Sequence, residues 1–126
     1  MTNDLKRTIA VVDDDYRILE SLESLLESAG HSVLLFSSGE AFLKSGVLAD
    51  LDCLISDVSM PGIDGFGLLR ITRLDRPDLP VIFITGREEL VNSQPQTDAL
   101  PRHFFKKPFD GKKLLSAVSV VLSGIR

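Results

Sequence analysis

Short runs of consecutive apolar residues alternate along this chain with longer stretches of helical periodicity. Four runs are clear and a fifth is weaker, at residues 9–12, 33–36, 53–55, 81–84 and 103–106. Runs that are apolar at every position, rather than at every second one, are typical of strands covered on both faces of a sheet. Such strands can be buried only if helices pack on both sides of the sheet.

The stretches between the runs supply those helices. The first has one apolar stripe and is closed by Gly30, and the last has a second stripe and begins after Asp110 as a candidate N-cap. The stripe residues are Ile18, Leu19, Leu22, Leu25, Leu26 and Ala29, then Leu114, Leu115, Val118, Val121, Leu122 and Ile125. Shorter helices are expected over residues 40–44 and 66–74. The order predicts one α/β domain over residues 1–126, a doubly wound parallel sheet with right-handed crossovers.

Composition excludes several classes of function. The 126 residues are enough for one domain with its own core. With a net charge of −4 and no basic run longer than two residues, the domain is not expected to contact nucleic acid. It has no apolar segment long enough for a membrane span or a signal peptide, so we expect a cytoplasmic protein without membrane contact. The single cysteine, Cys53, lies within an apolar run and is expected in the core.

Polar residues stand at the end of four of the apolar runs. Asp13 and Asp14 follow the first run, Asp57 the third, Thr85 the fourth and Lys107 the fifth. In an open parallel sheet, ligands bind outside the carboxyl ends of the strands, so the fold would gather these five residues at one edge. Clustered carboxylates are favourable when a hard divalent cation lies among them, and Mg²⁺ prefers oxygen ligands. The sequence therefore predicts a magnesium site.

Each of these residues also has a simpler explanation when taken alone. Three consecutive aspartates at a strand end are often turn or helix-capping residues. Asp15 in particular can act as an anion at the N-terminus of the first helix. Thr85 alone would be a turn hydroxyl, and Lys107 alone a solvated charge. The functional interpretation is favoured because all of them occur at equivalent strand ends.

Four segments resemble the signature segments of the receiver domain of two-component response regulators. They are "VVDDD", "LISDVSMPGIDG", "VIFITG" and "FFKKPF", and the resemblance extends over residues 9–124. The segment "SSGEAFL" is similar to receivers of the FixJ kind, which usually precede a helix-turn-helix output domain. The resemblance implies a five-stranded flavodoxin-like sheet of strand order 2-1-3-4-5. Because the chain ends at Arg126, we expect either an output domain that is missing from it or a stand-alone receiver.

The resemblance also implies roles for the residues at the strand ends. Asp57 would accept a phosphoryl group from a phosphohistidine. Mg²⁺ would be held by Asp14 and Asp57, with Asp13 acting through water and Ser59 offering its backbone carbonyl. The loose transition state of phosphoryl transfer requires charge neutralisation and positioning more than covalent help.

Three further residues would bind the phosphoryl group and respond to it. Lys107 would pair with Asp57 before transfer and with a phosphoryl oxygen afterwards. Thr85 would hydrogen-bond another phosphoryl oxygen and move on activation. Phe104 stands where receivers carry a Tyr or Phe that rotates inward behind the threonine, although a plain core aromatic is nearly as good an interpretation. Lys107–Pro108 is expected to be a cis peptide, as in other receivers.

The implied partner is a sensor histidine kinase or a phosphotransfer protein, and homodimerisation on phosphorylation is left open. The domain itself is expected not to be an enzyme. An aspartate-nucleophile phosphatase of the haloacid dehalogenase kind is the first alternative, but it requires a second acid where Ser59 stands. A pure interaction module is the second, and the complete set of strand-end residues argues against it.

The crossover between the fourth and fifth strands departs from the family pattern. Pro95 would interrupt a helix there, at a cost of roughly 3 kcal/mol, and Gln94 before it is biased away from helical angles. Leu100 and Pro101 stand where a glycine-containing closure is usual. We therefore expect an irregular, mobile helix over residues 88–99, which phosphorylation would order.

Overall fold

The computed structural model describes residues 6–86 and 104–123. Its five strands form one parallel sheet in the order β2-β1-β3-β4-β5, as the sequence predicted. The strands are β1 (Thr8–Val12), β2 (Ser32–Phe36), β3 (Cys53–Asp57), β4 (Val81–Thr85) and β5 (Phe104–Lys106). The helices among the described residues are α1 (Tyr16–Ser28), α2 (Gly39–Ser45), α3 (Gly65–Asp75) and α4 (Gly111–Ser123), with a 3₁₀ turn at Leu48–Asp50.

The sheet divides the core into two layers. Alternate residues of β1 belong to opposite layers, with Ala10 and Val12 in one and Ile9 and Val11 in the other. One layer includes buried residues of α2 and α3 (Phe42, Leu68, Leu69), and the other includes those of α1 and α4 (Leu19, Leu22, Leu26, Leu114, Val118, Leu122). The continuous apolar runs are therefore explained by strands that need apolar side chains on both faces.

One expectation about burial is wrong for the second run. All five residues of β2 are only partly buried, whereas every residue of β3 and β4 is buried. The reason is that, among the strands that the structure describes, β2 lies at the edge of the sheet and pairs with β1 alone. Apolarity alone did not distinguish this edge strand from the central ones.

Side-chain caps set where the helices begin. The Asp15 carboxylate accepts a hydrogen bond from the Arg17 N–H, and the Asp110 carboxylate accepts one from the Lys112 N–H at 2.9 Å. Both helix starts therefore agree with the sequence, and Asp15 acts as an N-cap. Gly30, with φ +92°, follows the end of α1 as expected. The Lys107–Pro108 peptide bond is cis, which confirms the expectation drawn from the resemblance.

Some predictions fall on residues that the structure does not describe. The irregular helix over residues 88–99 lies outside the described residues, as do His103 and Ile125. Within residues 6–86 and 104–123, no helix has the length and apolarity that a membrane crossing requires.

Candidate functional site

The predicted site residues lie just beyond the carboxyl ends of the strands, where backbone hydrogen bonds continue the sheet. The Asp13 N–H donates to the Phe36 carbonyl at 3.1 Å, and the Lys107 N–H donates to the Thr85 carbonyl at 2.8 Å. Asp57 is the last residue of β3 and is in register with Ile84 of β4. Backbone hydrogen bonds and strand pairing at this edge of the sheet therefore fix the main chain at Asp13, Asp57 and Lys107.

Three carboxylates meet at this edge. One oxygen each from Asp13, Asp14 and Asp57 lies within 4.8 Å of the others. Asp13 and Asp57 are buried, whereas Asp14 is exposed. The Lys107 Nζ lies 3.0 Å from Asp13 Oδ2 and 3.4 Å from Asp57 Oδ1. The structure thus brings together four of the five residues that the sequence assigned to one point, and Lys107 contacts two of the three carboxylates directly.

The Asp13 carboxylate is held in a fixed orientation. Its Oδ1 accepts a hydrogen bond from the Asp15 N–H at 2.8 Å. Its Oδ2 is buried and lies 3.0 Å from the Lys107 ammonium. Both oxygens of this carboxylate are therefore held by neighbouring donors.

The electrostatics of the site are those of crowded acids. Burial, followed by the charge of Asp13, raises the pKa of Asp57 from 3.8 to about 6, although Lys107 opposes the rise. Burial also raises the pKa of Asp13, against the opposing hydrogen bond from Asp15 and the ammonium of Lys107. Burial alone would lower the pKa of Lys107, but the hydrogen bonds and charges of Asp13 and Asp57 outweigh it and raise the value. The single positive charge of Lys107 does not neutralise the three carboxylates of Asp13, Asp14 and Asp57.

These residues fit a magnesium ion. Mg²⁺ takes oxygen ligands and is usually bound by one or two carboxylates while it keeps several waters. An exposed carboxylate beside two buried ones offers oxygens to the ion and leaves one side open to solvent. The surplus negative charge of the three carboxylates would be relieved by a divalent cation.

The remaining predicted residues lie around this cluster. Ser59 is exposed, two residues beyond Asp57, and its role as a carbonyl ligand stays a prediction. Thr85 is fully buried at the end of β4. Phe104 is buried in an aromatic cluster, with its ring centre 5.2 Å from that of Phe83 and 6.2 Å from that of Phe66. Its rotation on activation is likewise untested.

Two further contacts fix the loop that follows Asp57. A Cβ atom at Gly65 would lie 2.5 Å from the Asp57 carbonyl oxygen, so only glycine permits α3 to begin this close to β3. The loop between them is also joined to α2, because the Ile63 N–H donates to Glu40 Oε2 at 3.2 Å. The glycines of the loop were a visible signal for the first contact, whereas the sequence carries no local signal for the second.

Comparisons with known proteins agree on the class that this fold and site define. Residues 9–119 match the family model of the response regulator receiver domain. The chain is 37% identical over 114 residues to the transcriptional regulatory protein FixJ of Azorhizobium caulinodans, covering 90% of this chain and 54% of that protein. It is 38% identical over 120 residues to the response regulator protein TmoT of Ectopseudomonas mendocina, covering 95% and 54%. The chain thus spans about half the length of these relatives.

Solved structures give the same result. A response regulator receiver domain protein from Clostridium thermocellum superposes with a TM-score of 0.84 at 28% identity, covering 93% of this chain and 94% of that one. The response regulator StyR gives 0.79 at 33% identity, covering 92% and 59%. The chain belongs to the receiver domain family of response regulators and is FixJ-like. Phosphorylation and Mg²⁺ binding at an acidic pocket are characteristic of this family.

Proposed function

We propose that Asp57 is the phosphoacceptor of this receiver and that it works with a magnesium ion held by Asp13, Asp14, Asp57 and the Ser59 carbonyl. The observation that carries the proposal is the position of the Asp57 carboxylate. It is buried at the end of β3, within 4.8 Å of two other carboxylates and 3.4 Å from the Lys107 ammonium. A nucleophile for phosphoryl transfer needs neutralising positive charge close by. Lys107 would supply part of this charge, and a magnesium ion bound among the carboxylates would supply the rest.

The transfer itself is a simple displacement. A carboxylate oxygen of Asp57 attacks the phosphorus of a phosphohistidine, the P–N bond breaks, and the electron pair leaves with the imidazole. The product is an acyl phosphate on Asp57. A bound Mg²⁺ supplies positive charge for the transferring group. Asp57 must be ionised to attack. Its pKa is raised to about 6, which still lies below neutral pH, so the carboxylate is mostly charged there.

Two other residues receive the phosphoryl group in this proposal. Lys107 has Asp13 as a second partner at 3.0 Å, so its ammonium can turn to a phosphoryl oxygen and remain close to a carboxylate. Thr85 lies at the end of the neighbouring strand and would donate its hydroxyl to another phosphoryl oxygen. A movement of Thr85 on phosphorylation would pass to Phe104, since β5 pairs directly with β4.

The proposed donor is a sensor histidine kinase or a phosphotransfer protein. By the same reasoning the domain is a regulated acceptor rather than an enzyme, and its output would be transcription regulation. FixJ of Azorhizobium caulinodans is a transcriptional regulatory protein, and this chain covers 54% of it, which leaves room in such a protein for an output domain.

The decisive experiment is phosphorylation by acetyl phosphate, followed by intact mass measurement. We expect the wild-type protein to gain one phosphoryl group when Mg²⁺ is present and none when it is chelated. Asp57→Asn preserves the shape of the side chain but removes the nucleophile, so it should gain none. Asp75→Asn is the matched control, because Asp75 is an exposed aspartate at the end of α3, and it should behave as the wild type.

The outcomes separate the alternative functions. Equal phosphorylation of the Asp57→Asn protein would refute the assignment. Continuous release of phosphate over many turnovers would favour an aspartate-nucleophile phosphatase. A wild-type protein that takes up no phosphoryl group under any Mg²⁺ concentration would be an interaction module.

A further inference from the structure

The loop between β3 and α3 is fastened at its base and near its end. At the base, the Val58 N–H donates to the Ile84 carbonyl at 3.1 Å, and the Gly65 N–H donates to the Val58 carbonyl at 2.8 Å. Nearer α3, the Ile63 N–H donates to Glu40 Oε2 at 3.2 Å. Glu40 belongs to α2 and lies 23 positions away in sequence, so this bond joins the loop to a separate element.

Two glycines leave room for the close approach of the loop and α2. Gly62 has φ +76°, and a Cβ atom there would overlap the Glu40 carboxylate. At Gly39, a Cβ atom would lie 3.3 Å from both the Cβ and the carbonyl oxygen of Ile63. Residues 39 and 40 at the start of α2 therefore lie close to residues 62 and 63 of the loop, and a larger side chain at either glycine would push them apart.

We propose that Glu40 is a positioning residue for the magnesium site, because its carboxylate holds the loop that carries the Ser59 carbonyl. This inference rests on the proposed function, in which that carbonyl is a ligand. Mg²⁺ requires nearly ideal octahedral geometry, with ligand oxygens at about 2.0–2.1 Å. A loop released from Glu40 would present its carbonyl over a wider range of positions, and the ion would bind less tightly.

The first test measures Mg²⁺ affinity directly by titration calorimetry. In Glu40→Ala the loop loses its acceptor, and we expect affinity to fall about three- to tenfold, the range for the net contribution of one typical hydrogen bond. Glu40→Gln keeps an oxygen at the same position and should restore most of the affinity. Glu20→Ala removes another exposed glutamate, from α1, and should change nothing.

A second readout separates positioning from general stability. In phosphorylation by acetyl phosphate, Glu40→Ala should raise the Mg²⁺ concentration that gives half the maximal rate, while the rate at saturating Mg²⁺ stays close to wild type. A residue with a purely structural role would lower the melting temperature in chelator without moving that concentration. This second pattern would overturn the inference.

A substitution at Gly62 tests the same contact from the side of the loop. Asparagine tolerates positive φ better than other residues, but its Cβ atom would still displace the Glu40 carboxylate. Gly62→Asn should therefore weaken Mg²⁺ binding in the wild-type background and add little in the Glu40→Ala background. Equal and independent losses in the two backgrounds would contradict the role of the contact.

The outcomes also distinguish this inference from the function on which it rests. If the wild type binds Mg²⁺ and is phosphorylated while Glu40→Ala has wild-type affinity, the positioning role is refuted and the function stands. If the wild type neither binds Mg²⁺ nor accepts a phosphoryl group, both are refuted.

Discussion

Replacing Asp57 by Asn should make the metal-free protein more stable at neutral pH. The pKa of Asp57 is about 6 in the folded protein, against an ordinary value of 3.8. At ~1.36 kcal/mol for each pH unit between these values, the ionised side chain costs the folded state about 3 kcal/mol at neutral pH. Asn removes this cost, and the Lys107 ammonium keeps Asp13 as a partner at 3.0 Å.

The sign of the pH dependence follows from the raised pKa. The folded state holds the Asp57 proton more tightly than the unfolded state does, so this contribution to stability is complete below pH 3.8 and is lost as the pH rises through about 6. The advantage of Asp57→Asn should therefore be close to about 3 kcal/mol at about pH 7.5 and shrink to about 0.5 kcal/mol at about pH 4.

Urea unfolding in chelator at these two pH values measures the effect. Comparing the two proteins at each pH cancels the other carboxylates that titrate in the same range. Saturating Mg²⁺ should stabilise the wild type more than the variant and so narrow the difference at neutral pH. An advantage that is absent at neutral pH, or that is equally large at both pH values, would show that repulsion at Asp57 is not its origin.

Three further changes test other parts of the structure. Saturating Mg²⁺ should raise the melting temperature of the wild type, and Asp14→Ala should abolish that rise; an undiminished shift would contradict the metal role of Asp14. Arg76→Ala should lower the free energy of unfolding in urea by about 2 kcal/mol, more than Arg70→Ala does. The reason is that the Arg76 guanidinium donates to three backbone carbonyls, those of Leu48 (2.8 Å), Leu51 (3.2 Å) and Ala49 (3.3 Å). Gly65→Ala should lower the free energy of unfolding by about 1–3 kcal/mol, since its Cβ atom would lie 2.5 Å from the Asp57 carbonyl oxygen. Gly86→Ala should cost far less, because there is open space around Gly86. Equal losses of stability in the two variants would contradict close packing at Gly65.

The sequence predicted the sheet and the acid cluster because both follow from short-range patterns. A run of apolar residues followed by a polar one identifies a strand and its end, and parallel strands then bring Asp13, Asp57 and Lys107 to one edge. The same logic could not identify β2 as half-buried, because its residues are as apolar as those of a central strand.

The contacts made by Glu40 and Arg76 illustrate what the sequence does not contain. The Glu40 bond to Ile63 spans 23 positions, and the Arg76 bond to Leu48 spans 28. Each depends on how two helices and a loop pack after the sheet has formed, and an exposed glutamate or arginine in a helix is common for reasons of solubility alone. By contrast, Gly62 and Gly65 are a local signal for a tight loop after Asp57, because glycine permits positive φ and close approach.

Asp57 combines a fixed backbone with a side chain in an unfavourable electrostatic environment. Its carbonyl oxygen accepts a hydrogen bond from the buried Ser56 hydroxyl at 2.9 Å and lies against Gly65. The fixed backbone keeps the Asp57 carboxylate close to those of Asp13 and Asp14, so the three carboxylates repel one another in the metal-free state. A bound cation would relieve this repulsion, and the free energy released would contribute to its binding. If Asp57 is the nucleophile, as proposed above, its carboxylate is already positioned for transfer and is most stable when the positive charge that transfer requires is present.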